Sequence, residues 1–377
     1  MHVDFTPSGV PTLGVEVEYG IVSKETGRLT EVADELLGIV GQGHPDNDHP
    51  KAKHELFNSS IEIITGVCDT PDDAVADLKA THLELKPLLD ERGLALESSG
   101  THPYAVWDRM NLSPGERYQW LLDEIGWPAR RLAIHGVHFH VGVRSKEKAI
   151  MFIDSMLNFL PQMLALSTSS PYWLGDDTGL ASIRSKIFEI MPTSGLPPWM
   201  ADWASFERFM TALINAETIK SVKEVWWDIR PHPTYGTVEI RMCDGIPTLR
   251  EVRAIAALAQ ALIVWMDQQV DAGNPLPDMP SWVARENKWR AARYGLDGRV
   301  MLDTDGRTQS FAENITQMVD MLEPVAAGLG TLDALTSVRE ILEVGSSANR
   351  QRAVVAHGGS LQDVVTLLRE ELAADLT

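Results

Sequence analysis

Four stretches of this chain alternate apolar and polar residues, and each places metal-ligand types or a permanent cation on its polar side. In TLGVEVEYG, Leu13, Val15, Val17 and Tyr19 alternate with Glu16 and Glu18. SSIEIIT sets Ile61 and Ile63 against Glu62, and AIHGVHFHVGV sets Val137, Phe139, Val141 and Val143 against His138 and His140. YGTVEIRMC sets Val238, Ile240 and Met242 against Glu239 and Arg241. Successive side chains of a strand point to opposite faces, so each stretch predicts a strand packed on one side only. Such one-sided packing belongs to antiparallel sheets, whose second face is expected to be wet. Here that face would carry acids and imidazoles in place of the usual Thr, Ser and Lys. Glu16 and Glu18 would stand about 6.5–7 Å apart and repel each other unless positive charge lies between them.

Helical patterns lie between the strands. Residues 71–93 open with an acidic turn and close on Gly93; residues 146–167 are mostly apolar and read as one helix under the sheet. Residues 249–270, 311–326 and 360–374 are also expected to be helical, with loops at 41–50, 194–200 and 274–280. There is no low-complexity linker and no internal repeat. Because the charged strand faces come from positions 16 to 241, a domain cut would separate groups that converge. A single α+β domain over residues 1–377 is expected.

Glu16, Glu18, Glu55, Glu62 and Glu239, with His138, form a set of hard oxygen donors plus imidazole. Such a set suits Mg²⁺ or Mn²⁺, which would answer the repulsion between neighbouring acids. Alternatively, each acid merely decorates an exposed strand. His138-Phe139-His140 invites a zinc reading, but no HExxH motif is present. No GxxxxGK[ST] or GxGxxG occurs either, so a bound nucleotide would be held by metal ions and arginines. Arg184, Arg230, Arg241, Arg290 and Arg293 are candidates, although arginines such as these more often serve as surface ion-pair partners. Arg241 stands apart, because it shares the ligand face with Glu239 and needs an anion to meet.

The formal charge of -20 disfavours nucleic acid or an anionic membrane as partner. The longest strongly apolar uncharged run, residues 254–266, is shorter than the 18–20 or so residues that span a bilayer. The N-terminus lacks a basic-then-apolar leader pattern, and Cys68 and Cys243 form no CxxC. Reduced thiols and a cytoplasmic location are expected. A homodimer is compatible with the 11 Trp and with the apolar run, which could equally be internal.

Several motifs occur in one order between about residues 12 and 298: TLGVEVEYGIV, HELFNSSIEIITGVC, GTHPYAVW, GVHFHVGV, SPYWLGDDTGLASIRSKIFEIMPTSG, WWDIRPHPTYGTVEIRMCDG and ENKWRAARYGLDG. Together they resemble the carboxylate-amine ligase (glutamate–cysteine ligase type 2) family of the glutamine synthetase-like superfamily. The resemblance implies a curved antiparallel sheet forming a funnel of the glutamine synthetase catalytic-domain type, surrounded by helices. It implies that ATP enters one end and the amino-acid substrate the other. It assigns Glu16, Glu18, Glu55, Glu62, His138 and Glu239 to metal and His140 to the amino-acid side. Arg241, with Glu239, faces the phosphate in the catalytic step. The implied reaction moves the γ-phosphate of ATP to a carboxylate, and an amine then displaces phosphate to leave an amide. Glutamate and cysteine are the family's usual pair, giving γ-glutamylcysteine; another amino acid and amine are the alternative. Arg184 is expected either at a substrate carboxylate or phosphate, or on a helix surface. The rival readings are a zinc hydrolase using His138 and His140, and a non-catalytic protein that binds metal and nucleotide.

Overall fold

The computed structural model describes residues 2–377. Its strands are β1 (Leu13–Ser23), β2 (Ala52–His54), β3 (Ser60–Ile64), β4 (Leu94–Glu97), β5 (Val137–Gly142), β6 (Tyr172–Trp173), β7 (Asp176–Asp177), β8 (Ile229–His232), β9 (Thr237–Ile240), β10 (Arg299–Met301) and β11 (Thr308–Ser310). Seven of them form one sheet in the order β2-β3-β1-β5-β9-β8, with β4 paired to the far end of β1. Every pairing in it is antiparallel. The two remaining pairs, β6–β7 and β10–β11, are small separate ribbons. Helices surround the main sheet, so the α+β class and the open, curved antiparallel sheet agree with the sequence reading.

The period-two pattern explains the packing. Val15, Val17, Tyr19, Ile21, Ile61, Ile63, Val137, Phe139, Val141, Val238 and Ile240 are all buried and belong to one core cluster. Each such side chain contributes roughly 1.5–3 kcal/mol by leaving water. The helices Pro71–Glu91 and Leu249–Asp271 belong to this layer. The first is started by a reciprocal cap: Thr70 Oγ1 accepts from the Asp73 N–H at 3.1 Å, and Asp73 accepts from the Thr70 N–H at 3.1 Å. The second is buried along most of its length, which accounts for the apolar run at 254–266. Among the described residues, no single helix is long and apolar enough to cross a membrane.

Two expectations are corrected here. Residues 146–167 do not form one helix: Lys146–Met156 and Leu160–Ser167 meet at a 65° bend. Pro161 has no N–H and would clash with the preceding turn in a continuous helix, so it takes the first turn of a new one. Nor is the polar face of the sheet wet. His138, His140 and Glu239 are buried there, and Glu16, Glu18 and Glu62 are half-buried and line a cavity closed in by segments outside the sheet.

Candidate functional site

Strand register brings the candidate ligands together. Across the β1–β3 pairing Glu18 stands opposite Glu62, and across β1–β5 Glu16 stands opposite His138. His140 is opposite Glu239 across β5–β9, and Glu239 is opposite Arg230 across β8–β9. A single face thus carries these side chains across five adjacent strands. It floors a cavity of about 510 Å³ lined by Glu16, Glu18, Glu55, Glu62, His138, Arg184, Arg230 and Arg241. Apolar and aromatic residues complete the lining: Tyr118, Trp120 and Leu121 from the helix Glu116–Ile125, Phe188 and Met191, and Trp226.

The contacts divide into an acidic part and a cationic part. His138 Nδ1 lies 3.1 Å from Glu16 Oε2, and its Nε2 lies 3.8 Å from Glu18 Oε1. Glu18 also accepts the Gly136 N–H at 2.5 Å. Arg230 grips Glu239 with two nitrogens, at 2.7 and 3.2 Å, and Arg241 bonds the same carboxylate. Arg184 is buried, not on a helix surface as one expectation had it. Its Nη1 donates to the Met242 carbonyl at 3.2 Å, while its Nε finds no partner. Arg290 and Arg293 are not brought to the cavity. Arg290 pairs with Glu286 at 2.7 Å on its own helix, and Arg293 bonds the Gly179 carbonyl.

These surroundings set the protonation states. Burial alone would raise the Glu16 carboxyl, but the adjacent His138 and His140 imidazoles hold it well below its ordinary value. Glu239 is likewise held low against burial, by Arg230 and then Arg241. Glu62 goes the other way: burial pushes it up first, and the charges of Glu55, Glu16 and Glu18 add to that. Burial and the nearby Arg241 lower His138, whereas Glu239 and Glu16 outweigh burial and raise His140.

The donor set fits divalent cations. Three groups each gather ligand atoms within 4.8 Å of one another: Glu16–Glu62–His138, Glu18–Glu55–Glu62, and Glu16–His140–Glu239. The first two share Glu62, whose carboxyl is raised first by burial and then by the charges of Glu55, Glu16 and Glu18, with Arg241 opposing them only in part. In the third, buried His140 Nε2 lies 3.3 Å from Glu16 and 4.0 Å from Glu239 yet makes no well-formed hydrogen bond. Glu239 in that group is already answered by two arginines.

Sequence reasoning did not single out Tyr118, Trp120 or Trp226 as cavity residues. Trp226 sits in the quoted WWDIRPHPTYG motif, and the amphipathic ERYQWLLDEI pattern was the available signal for the helix that carries the other two.

Comparisons with known proteins agree with this architecture. The family model described as "Glutamate-cysteine ligase family 2" matches residues 12–367. A protein of Thermobifida fusca, provisionally named glutamate–cysteine ligase 2, is 46% identical over 374 residues, covering 99% of this chain and 94% of its own. A provisionally named glutamate–cysteine ligase 2-1 of Frankia alni is 47% identical over 377 residues, covering 99% and 98%. Among solved structures, glutamate–cysteine ligase of Francisella tularensis in complex with AMP superposes with a TM-score of 0.72 at 12% identity, covering 100% of this chain and 90% of that one. A bifunctional glutathione synthetase of Pasteurella multocida gives 0.69 at 16% identity, covering 97% and 52%. With nearly the whole chain matched at these identities, the protein belongs to glutamate–cysteine ligase family 2.

Proposed function

We propose that this ligase uses ATP to activate a carboxylate as an acyl phosphate and joins it to an amine, with glutamate and cysteine as the pair. The observation that carries the reading is the company kept in one cavity: Glu16, Glu18, Glu55 and Glu62 beside Arg184, Arg230 and Arg241. An anionic carboxylate has to approach a triphosphate, and nothing but opposing charge makes that approach tolerable. Glu16, Glu18, Glu55, Glu62, His138 and Glu239 would hold Mg²⁺ or Mn²⁺, which supplies positive charge to phosphate oxygens when bound.

The chain's own groups do the rest. Arg241, held by Glu239, presents its remaining donors to the transferring phosphoryl group, and Arg230 braces Glu239 from the other side. Arg184 offers buried, incompletely satisfied donors to a substrate carboxylate or phosphate. His140, 3.3 Å from Glu16 and 4.0 Å from Glu239, would face the amino-acid substrate. In the first step a carboxylate oxygen attacks the γ-phosphorus and ADP leaves. In the second the amine attacks the acyl carbon, loses a proton and expels phosphate. Neither step needs a side-chain nucleophile, and both cysteines are buried, with Cys243 pushed up to about 12 by burial. Tyr118, Trp120 and Trp226, which line the cavity, would keep water from the acyl phosphate once substrates fill it.

The AMP complex of the Francisella structure supports a nucleotide in this fold. The test is phosphate release from purified protein with ATP, Mg²⁺ and a panel of amino acids. The expected result is release that depends on glutamate plus cysteine and is lost at least 100-fold in Glu16→Gln and Glu239→Gln. Release with a different pair would keep the chemistry and change the substrates; parental rates in both variants, with parental thermal melts, would sink the site assignment.

A further inference from the structure

We propose that Lys288, which does not line the cavity, is a positioning residue that sets the three arginines that do. Lys288 lies on the helix Ser281–Tyr294 and is 2% exposed. Its Nζ is 2.6 Å from Glu189 Oε1 and 2.6 Å from Asp228 Oδ2. Each carboxylate leads to a different part of the cationic wall. Glu189 caps the short helix Arg184–Phe188, whose first residue is Arg184. Asp228 stands two residues before Arg230, and its carbonyl accepts the Arg241 N–H at 2.8 Å. The wall is further interlocked, because Arg184 Nη1 reads the Met242 carbonyl next to Arg241. One ammonium therefore ties the segment bearing Arg184 to the segments bearing Arg230 and Arg241.

Stability alone does not account for a charge at this place. Desolvating an ammonium and two carboxylates is costly, and well-packed apolar replacements of buried ion pairs are often neutral or stabilising. What the pairing supplies is a fixed geometry: two short, directional contacts from one point hold two segments at a set separation. An arginine placed about 1 Å off its anion loses much of its effect on a reaction.

The role rests on the cavity's reading as a site for nucleotide and carboxylate. Its test compares the parent with the neutral triple variant Lys288→Met/Glu189→Gln/Asp228→Asn and with the milder Glu189→Gln, whose side chain is 33% exposed. Thermal midpoints, ATP binding followed by tryptophan fluorescence, and KM and kcat are measured on each. Expected are midpoints within a few degrees of the parent and an ATP affinity at least tenfold weaker in the triple variant. Glu189→Gln, which releases the Arg184 segment from Lys288 and also removes the partner of Lys186 on that same segment, is expected to raise KM for ATP or the amino acid about threefold, with kcat less affected. Should the triple variant fail to fold, Glu189→Gln decides. Variants that match the parent in binding and KM at matched midpoints overturn the role of Lys288 alone, whereas a parent that does not bind ATP overturns the functional reading and this role together.

Discussion

Glu18 and Glu62 face each other directly across the β1–β3 pairing, two acids in register on the same face of the sheet. Like charges at such positions destabilise a sheet, and Glu55 and Glu16 add to the crowding at Glu62. A divalent cation is the natural relief. Mg²⁺ or Mn²⁺ should therefore raise the thermal midpoint of the protein by several degrees without nucleotide, since saturation at about 100 Kd contributes about 2.7 kcal/mol. Glu62→Gln should melt higher than the parent in chelator and lose most of the metal-dependent rise. Melts with and without metal check this; equal metal responses in parent and variant would contradict it.

Arg241 bonds Glu239 and approaches His138 Nδ1 to 3.5 Å, so its guanidinium bridges the acid and imidazole sides of the site. Lysine keeps the charge but not the planar fork. Arg241→Lys should reduce turnover at least 100-fold, the scale of losing one preorganised donor to a transition state. The fold should persist, because Arg230 still pairs with Glu239 through two bonds. Phosphate-release kinetics alongside circular dichroism test the point, and near-parental turnover would remove Arg241 from the reaction.

The strands that carry the ligands were legible because their alternation is regular and their apolar faces are all buried. β2 and β8 were not: they have three and four residues, and Pro231 interrupts β8, so neither shows a usable period. The bend near Pro161 was hidden by the apolar residues on both sides, which leave no change of periodicity to see. Site residues on the alternating strands could be grouped from sequence because the face each side chain takes follows from parity, whereas the register that sets Glu18 opposite Glu62 does not. Arg184, Arg290 and Arg293 could not be sorted that way, since their positions depend on how helices and loops fold back onto the sheet. Lys288 could not be picked out, because a lysine is almost never fully buried unless paired and its partners lie 99 and 60 positions away in sequence.

Gly136 leaves room for Arg184. A Cβ built on Gly136 would overlap Arg184 Nη2 and come within 2.8 Å of Cζ. The obstructed atoms are the tip of a flexible side chain, so Gly136→Ala should fold, with its guanidinium displaced. Because the Gly136 N–H to Glu18 remains in the variant, the acidic part of the site is left in place. A tenfold or larger rise in KM for one substrate, with a midpoint close to the parent's, is the expected outcome of steady-state kinetics and melts. Unchanged KM values for ATP and both amino acids would remove Arg184 from substrate binding.

Glu97, at the end of β4, is fully buried; its Oε2 accepts from the Ser99 hydroxyl at 2.9 Å and its Oε1 has no partner. Burial pushes its carboxyl from 4.5 up to about 8, against the opposing effect of Ser99. Between those two values the folded state holds a proton that the unfolded state has released. Stability from this group is therefore greatest near the acid end of the window and falls as pH rises toward about 8. Glu97→Gln removes the titration while keeping an acceptor for Ser99. The midpoint of the variant relative to the parent should rise across the window, from little difference at about pH 5 to several degrees by about pH 8. Paired melts over that range measure it, and a difference that does not change with pH would mean that Glu97 keeps an ordinary carboxylate in the folded protein.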